Sequence, residues 1–585
     1  MPRSLFVVLA AFFSLALISV PPARASTIDA AALDALRPLP VLDNGRIKPF
    51  DTVARETVRK VTGYEYFGTV SGDDDAQEMN GSIDPDQLVL DWAANPEMWT
   101  HQPIVYVSNP ALRARLNMKP TQQWTSPYTI ETNADFRTWV IGVEAQRQKA
   151  QQAGERVTYA HASDQAMDDD GLDLEESVIL FNAASDLSLY CVHPTTPDNW
   201  ETISQIIADP SPELSDVKTD WANLMDAYSA GDSAKFAAAA ISYRNDMRAI
   251  SGTQYADFSK MNLEVFYNWF KPFRKAWIIY LAAVAMLIAS LMIRLPAVYY
   301  TGMAIMAFGI LFHIGAFVIR CMITGWAPVA TMYETLIWVS LMAAVFSYVL
   351  ELIYQRRTVA IGGAVIAILA AIVADAIPPH LGKSIEPIQP VLRSNYWLSI
   401  HVLTIVSSYA AFALSMILGN ILLGQFIWGR SKPETIRSNL LFTYRAVQIG
   451  VLLIAAGTIL GGLWADVSWG KFWSWDPKEV WALICLLVYV ALLHGRFAGW
   501  IKQFGMAAGA VLAFTAVLMS WYGVNFMLGV GLHSYGRGTG GQAYVYSFVA
   551  AEWIYVGLAW IIYRARRMGG KSADSDSLQT TAGSI

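Results

Sequence analysis

The chain has 585 residues, too many for one ordinary domain, and 54% of them are hydrophobic. Charged residues make up 15%, against about 25% in typical soluble domains. The formal net charge is −6 and basic residues form no patch, so the composition excludes nucleic acid as a partner.

The first 25 residues predict a secretory signal peptide. Arg3 supplies a basic start, residues 5–20 an apolar stretch, and residues 23–25 an A-x-A cleavage site. An uncleaved membrane anchor is the alternative. Either way, the segment that follows is expected to be exported.

Residues 26–270 predict a mixed, mostly helical soluble domain whose role the sequence leaves unassigned. Residues 51–62 predict a helix that starts near Asp51 and stops at Gly63, and residues 218–250 also look helical. The three histidines and the single cysteine of this region give no ligand spacing, and C-x-x-C and C-x-x-C-H are absent from the whole sequence.

Residues 275–565 predict a membrane domain, and residues 566–585 a cytoplasmic tail. A span needs roughly 20 apolar residues. Nine candidates follow the soluble region, at 276–293, 297–319, 334–354, 358–377, 397–428, 446–465, 478–494, 504–527 and 544–563. The predicted fold class is therefore an all-α polytopic membrane bundle preceded by an exported, mostly helical domain.

The basic residues between these spans predict their orientation. If the first span runs from outside to inside, the inner segments hold thirteen basic residues and the outer ones six. Lys271, Arg274 and Lys275, just outside the first span, go against the rule. The balance predicts a bacterial inner-membrane protein whose segments 320–333, 378–396, 464–477 and 528–543 face the periplasm.

The densest chemical signal is residues 464–481, hereafter the tryptophan segment. Tryptophans gather at membrane interfaces for structural reasons, but an interfacial belt does not explain charges at the mouth of a span. Asp476 precedes Pro477, so the pair predicts a helix start with Asp476 as its cap. Indoles beside such a start would suit a flat apolar ring with polar edges.

Four of the eight histidines lie in or at the ends of predicted spans: His313, His401, His494 and His533. Histidine in a membrane marks either a function or a buried hydrogen bond, and neutral imidazole is an axial ligand of haem iron. His401 and His533 are predicted at the outer level of the tryptophan segment. His313 and His494 are predicted deeper, where they could meet inside the bilayer.

At these residues the chain resembles the CcsA (ResC) component of the System II cytochrome c synthase, over about half its length. Residues 464–494 resemble the WWD segment of haem-handling proteins, which alone would also fit the System I proteins CcmC and CcmF. Phe472 and Val480 depart mildly from the family's usual Tyr and Thr. Further resemblance lies in His313 with Arg320, Gly325, Pro328, Met332, Tyr333 and Glu334, in Pro390, Ser394, Trp397 and His401, and in Gly523-Val524-Asn525 with residues 531–535.

The resemblance implies that the chain binds haem b (iron protoporphyrin IX) and carries it to the outer membrane face. His313 and His494 would hold haem within the membrane, and His401 and His533 would be axial ligands at the WWD site. The residues that would line that outer site are Trp464, Trp469, Trp473, Trp475 and Asp476. An apocytochrome c would supply the C-x-x-C-H thiols that form the thioethers. Residues 26–270 do not resemble the β-rich CcsB (ResB) protein, so a separate CcsB partner in a cytochrome c synthase (haem lyase) complex is implied. The sequence leaves open whether this chain catalyses ligation.

Two alternatives remain from the residues alone. A polytopic transporter would explain the spans and intramembrane histidines, but it predicts paired acidic residues within the spans, which carry few carboxylates. A cofactor-free assembly factor with an exported partner-binding domain is the other. An absorption spectrum separates it from a haem-binding protein.

Overall fold

The computed structural model divides into two compact units, residues 1–269 and 270–585. It describes residues 28–71, 77–153, 157, 159, 162–196, 199–252, 258–293, 295–376, 384–385, 394–429, 431–528 and 541–582. The predicted signal peptide and His533 lie outside the described residues.

The described residues of the N-terminal unit form eight short antiparallel strands. They are β1 (Pro40–Asp43), β2 (Arg46–Pro49), β3 (Phe67–Ser71), β4 (Glu78–Ile83), β5 (Val105–Tyr106), β6 (Trp124–Thr125), β7 (Cys191–Thr196) and β8 (Asn199–Thr202). One sheet has the order β2-β1-β7-β8, and β3-β4 and β5-β6 form two further pairs.

Helices make up most of this unit, as predicted. They are α1 (Ala30–Leu33), α2 (Phe50–Thr62), α3 (Pro85–Ala94), α4 (Pro96–Thr100), α5 (Pro110–Arg115), α6 (Pro127–Thr132), α7 (Ala134–Gln152), α8 (Ala162–Ser185), α9 (Ile203–Ala208), α10 (Ser215–Ala230), α11 (Ser233–Ser251) and α12 (Phe258–Phe270).

The two helices predicted in this unit are present. Helix α2 ends at Gly63, whose φ of +80° suits the residue that closes a helix. The helical region 218–250 is two helices, because Gly231 ends α10 with a φ of +69° and the Asp232 side chain caps α11.

Residues 45–51, with the sequence GRIKPFD, use their charged side chains inside the N-terminal unit. Arg46 donates two hydrogen bonds to Glu264 of α12, at 2.6 and 2.8 Å. Asp51 accepts one from Asn268 of α12, at 2.9 Å. Lys48 is fully buried and forms ion pairs with two carboxylates that lie close to it in the sequence. The motif therefore ties β2 and α2 to the helix that precedes the first span.

Nine helices among the described residues are long and apolar enough to cross a membrane, as predicted, so the chain is a multi-pass membrane protein. They are α13 (Pro272–Ile293), α14 (Pro296–Thr324), α15 (Met332–Tyr354), α16 (Thr358–Ala376), Leu398–Trp428, α19 (Pro433–Trp469), α20 (Pro477–Phe497), Gln503–Leu528 and Gln542–Arg566.

Two of these spans contain π-helical turns at one end. The short helix α17 (Asn395–Trp397) precedes the fifth span, which starts with a π-helical turn at Leu398–Val402 and becomes α18 (Leu403–Trp428). The eighth is α21 (Gln503–Leu518) followed by a π-helical segment, Met519–Leu528, and the ninth is the first part of α22 (Gln542–Ala582). π-helical turns are rare in proteins overall, but those that occur are often found at functional sites. Both segments are therefore candidates for a functional role.

Polar contacts join the first part of α15 to the first part of α18 and to the π-helical end of the eighth span, hereafter the tryptophan end of the bundle. Trp338 of α15 donates to Ser407 Oγ of α18 at 2.9 Å. Trp521 donates to Thr335 Oγ1 of α15 at 2.9 Å. Because indole N–H groups need an acceptor when buried, these bonds fix the helices laterally.

A candidate binding site at the tryptophan end

The tryptophan segment comprises the end of α19, a tight turn and the start of α20. Helix α19 ends at Trp469, followed by Gly470 with a φ of +69°. Helix α20 begins at Pro477 with Asp476 as its cap, as the sequence predicts. Asp476 Oδ2 accepts the backbone N–H of Lys478 at 3.0 Å. The 6% exposure of Asp476 therefore reflects a role at the helix start.

Glu479 holds this turn in shape from within α20. Its carboxylate accepts the backbone N–H of Ser474 at 2.9 Å, the Ser474 hydroxyl at 3.2 Å and the backbone N–H of Asp476 at 3.2 Å. Trp475, between them, has a φ of +60° and is 72% exposed. A bulky residue rarely adopts this conformation, so the hydrogen bonds on both sides offset its cost.

The remaining aromatic side chains lie around this turn. Trp473 and Trp475 meet edge to face, with ring centroids 6.0 Å apart. Phe472 packs against the bare backbone of Gly462. Trp469 and Trp473 are partly buried. Aromatic rings at several orientations thus surround this turn.

His401 lies in the π-helical turn of the fifth span, directly against α19. Its Nδ1 donates to the backbone carbonyl oxygen of Gly457 at 2.8 Å. Trp464 contacts the ring edge to face, with centroids 5.8 Å apart. A carbonyl oxygen only accepts, so Nδ1 carries the proton and, in the neutral ring, Nε2 carries the lone pair. His401 is therefore oriented as a metal-ligating histidine would be.

Gly461 creates the space that His401 occupies. A Cβ atom at this position would lie 2.7 Å from His401 Cε1, inside van der Waals contact. The imidazole thus rests on the backbone of α19 between Gly457 and Gly461, one helical turn apart. Neither glycine was predicted from the sequence to belong to a site.

His313 lies inside the bundle on α14 and is 1% exposed. Its Nδ1 is 3.3 Å from the hydroxyl of Tyr280 on α13. Phe273 contacts the ring edge to face at 5.3 Å. Its Nε2 is buried and has no hydrogen-bond partner among the described residues. A buried nitrogen without a partner is costly, and a ligand would remove that cost.

His494 is exposed on α20 near the end remote from the tryptophan segment. Its Nδ1 donates to the carbonyl oxygen of Val490 at 2.8 Å. No hydrogen bond or ring contact joins His494 to His313. The structure therefore brings His401 to the tryptophan segment but does not bring together the two deeper histidines.

The region between His313 and the tryptophan end contains a buried ion pair. Arg320 Nε donates to Glu334 Oε1 at 2.9 Å, and both side chains are at most 3% exposed. Glu334 Oε2 also accepts the backbone N–H groups of Ala330 and Thr331, at 2.9 and 3.3 Å. This pair fixes the connection from α14 to α15, where the resemblance placed the first-histidine region.

Comparison with known proteins assigns the membrane unit to a family. A family model described as "Cytochrome C assembly protein" matches residues 329–533. CcsA of Prochlorococcus marinus (strain NATL2A) is 33% identical over 263 residues, which cover 39% of this chain and 82% of CcsA. CcsA of Synechococcus sp. (strain CC9902) is 32% identical over 253 residues, 37% of this chain and 81% of CcsA.

Similarity to a longer protein extends into the N-terminal unit. Protein NrfI of Wolinella succinogenes is 25% identical over 522 residues, which cover 84% of this chain and 53% of NrfI. The chain thus spans about half the length of NrfI. A solved structure, "Cytochrome c Heme Lyase CcmF", superposes with a TM-score of 0.34 and 13% identity over 50% of each chain, which is too weak to place side chains. The matches to the two CcsA proteins, each covering most of the relative, show that the chain belongs to the CcsA family of cytochrome c biogenesis proteins.

Proposed function

We propose that this chain binds haem at the tryptophan end and presents it for covalent attachment to apocytochrome c. The observation that carries the proposal is the setting of His401. Its Nδ1 proton is held by the Gly457 carbonyl, and its ring lies against Trp464 beside the WWD turn. Membership of a cytochrome c biogenesis family supports the same conclusion.

The residues present fit haem as the substrate. A porphyrin needs apolar faces and an axial donor, and the indoles of Trp464, Trp473 and Trp475 with the Nε2 of His401 offer both. Haem b supplies the iron that two imidazoles can clamp and the vinyl groups to which cysteine thiols add. We propose His533 as the second axial ligand, on the resemblance alone, since it lies outside the described residues.

Asp476 and Glu479 contribute by shaping the turn. They cap α20 and hold the backbone around Trp475, so the aromatic faces are fixed before substrate arrives. Fixing a substrate in one orientation lowers the entropic cost of its reaction with a second molecule. The chain's own part in the reaction is therefore positioning, while the thiols come from the apocytochrome.

We also propose that His313 and His494 hold haem on its way from the inner side. The buried Nε2 of His313 supports this proposal, because an axial bond would give that atom a partner. Joint ligation requires the ring of His494 to approach His313 from its exposed position on α20. Tyr280 would then orient His313 through Nδ1.

The proposal places the N-terminal unit and the tryptophan end on the periplasmic side of the bacterial inner membrane. The excess of basic residues in the opposite segments supports this orientation. We propose a separate CcsB (ResB)-type membrane protein and apocytochrome c as partners. Residues 26–270 do not resemble the β-rich CcsB (ResB) protein, which supports a separate CcsB chain.

The test is an absorption spectrum of the purified protein. A b-type haem signal is expected in the wild type, a strongly reduced one in His401→Ala and in His533→Ala, and partial recovery of His401→Ala on adding imidazole. His101→Ala, in the N-terminal unit, is the control and should keep the wild-type spectrum. A cofactor-free assembly factor predicts no haem signal in any of these proteins, which would overturn the proposal.

A further inference from the structure

Lys478 places a positive charge at the start of α20, where it lies half-buried within the tryptophan segment. Its Nζ is 3.4 Å from the side-chain oxygen of Asn525, in the π-helical end of the eighth span. An ammonium group at the mouth of a span is costly unless it has a charged partner or a function. The contacts of Lys478 distinguish between a charged partner and a function.

The two carboxylates nearest in sequence already serve the helix start. Asp476 accepts the backbone N–H of Lys478, and its side chain and that of Glu479 form the reciprocal cap of α20. Glu479 also accepts both donors of Ser474. Among the residues that the structure describes, Lys478 forms no ion pair. Its charge is therefore met by a neutral amide oxygen and by a carboxylate that is engaged elsewhere.

Asn525 is held so that its oxygen points to Lys478. Its Nδ2 donates to the backbone carbonyl of Trp521 at 3.0 Å and contacts Met332 Sδ at 3.7 Å. Trp521 is in turn fixed by its hydrogen bond to Thr335. An ammonium group has three donors, and one amide oxygen accepts only one of them. Lys478 is thus a positively charged group held in place by Asn525, with further N–H donors for an anion.

We propose that Lys478, positioned by Asn525, binds a carboxylate of the porphyrin substrate at the tryptophan end. This inference rests on the proposed haem-binding function and adds the group that fixes the ring's rotation. Haem carries two propionate carboxylates on one edge and its vinyl groups on the other side of the ring. A charge bond to a propionate would turn the vinyl groups away from Lys478, and so select the edge that meets the apocytochrome.

The experiment compares ferric haem with its dimethyl ester, in which both propionates are neutral. Binding is titrated by absorbance into the full-length protein in nanodiscs of zwitterionic lipid. Wild type is expected to bind haem about tenfold to hundredfold more tightly than the ester, the range of one charge-assisted hydrogen bond. Lys478→Met should bind both alike. Lys478→Arg should keep the preference.

Lys471→Met is the matched control, because Lys471 is an exposed lysine of the same turn. It should bind the two porphyrins as the wild type does. Equal binding of haem and ester by the wild type, or a preference that survives in Lys478→Met, would overturn the inference while leaving haem binding intact. Failure of the wild type to bind either porphyrin would instead remove the proposed function.

An anionic lipid headgroup would meet the same ammonium through its phosphate. A second arm therefore repeats the titration in nanodiscs that contain phosphatidylglycerol. The porphyrin preference of the wild type should persist there. If Lys478→Met lowers the binding of phosphatidylglycerol and has no effect on the porphyrin preference, the anion is a lipid and the inference is wrong.

Discussion

His401 and Gly457 are joined by a hydrogen bond of 2.8 Å, although they lie 56 residues apart on different spans. The bond sets the proton on Nδ1 and leaves Nε2 as the donor atom for a metal. Partners of this kind tune ligating histidines strongly, and their loss typically lowers metal affinity by about tenfold to hundredfold. The backbone of α19 is therefore part of the proposed haem site.

Gly461→Ala is expected to disturb this site without changing a ligand. The new methyl group would lie 2.7 Å from His401 Cε1, so the ring must move and weaken its bond to Gly457. Haem retained by the purified protein should fall by about tenfold or more, measured by absorbance. Gly557→Ala, where an added Cβ meets no atom within 4 Å, is the control and should leave haem content unchanged. Equal haem content in both variants would contradict the role given to Gly461.

Glu479→Ala is expected to release the turn around Trp475. Loss of a helix-capping side chain costs about 0.5–2 kcal/mol, and the strained φ of Trp475 can then relax. Both the melting temperature in detergent and the haem content should fall. Glu479→Gln keeps an acceptor oxygen and should recover most of the haem content. Glu434→Ala removes an exposed glutamate from the first turn of α19 and should change neither quantity. Normal haem content in Glu479→Ala would refute the proposal that Glu479 holds the turn around Trp475 for haem binding.

Asp86 predicts a pH dependence of the N-terminal unit. Burial first, and then the neighbouring carboxylates Asp51 and Asp84, raise the pKa of Asp86 well above its ordinary value of 3.8, against the opposing effect of its ion pair with Arg37 at 2.8 Å. A carboxyl whose pKa is higher in the folded state stabilises the fold most at pH below 3.8, and this contribution is lost as pH rises through the folded-state pKa. Lowering the pH from neutral should therefore increase the stability that Asp86 contributes.

Asp86→Asn isolates this effect, because the amide stays neutral at every pH. The measurement is amide hydrogen exchange of α3 in the full-length protein, corrected for the intrinsic rate at each pH. Protection of the wild type relative to Asp86→Asn should improve as pH falls, as the two side chains become alike in charge. A constant difference across the pH range would show that the pKa of Asp86 is not raised.

Glu264→Ala should destabilise the N-terminal unit strongly. It removes the partner of Arg46 from an interior position where Glu264 is 1% exposed, and breaking such a buried pair costs about 3–5 kcal/mol. Asp173→Ala breaks the surface pair with Lys60, where the aspartate is 52% exposed, and should cost at most about 1 kcal/mol. The measurement is thermal unfolding of the two full-length variants, monitored by proteolytic cleavage within residues 28–252. Similar losses in both would show that the buried pair has no special weight.

Local patterns predicted the parts of the fold that local forces decide. Nine apolar stretches gave nine spans, because a segment of that length and composition has few alternatives. Asp476-Pro477 predicted the start of α20, since capping depends on adjacent residues. Gly231-Asp232 carried the signal for the break in the 218–250 helix, but the helical composition on both sides obscured it.

Contacts between distant residues account for what the sequence did not reveal. The bonds of His401 to Gly457 and of Lys478 to Asn525 depend on how helices pack, which no local pattern encodes. The role of Glu479 was detectable, because an aspartate three residues before a glutamate is a capping signature. The spans also hold a half-buried carboxylate that the sequence-based analysis overlooked, Glu552, which accepts a hydrogen bond from Asn420 at 3.1 Å.

The hydrogen bonds between the GRIKPFD motif and α12 determine where a fragment of the N-terminal unit can end. A fragment that stopped at residue 252 would contain Arg46, Asp51 and Thr52 but would lack Glu264 and Asn268, so buried groups would lose their partners. A fragment that continued through Trp269 would keep them, together with the exposed aromatic side chains Phe266 and Trp269 of α12. Anyone isolating this unit to search for its binding partner should therefore retain α12 and shield its last turn with detergent.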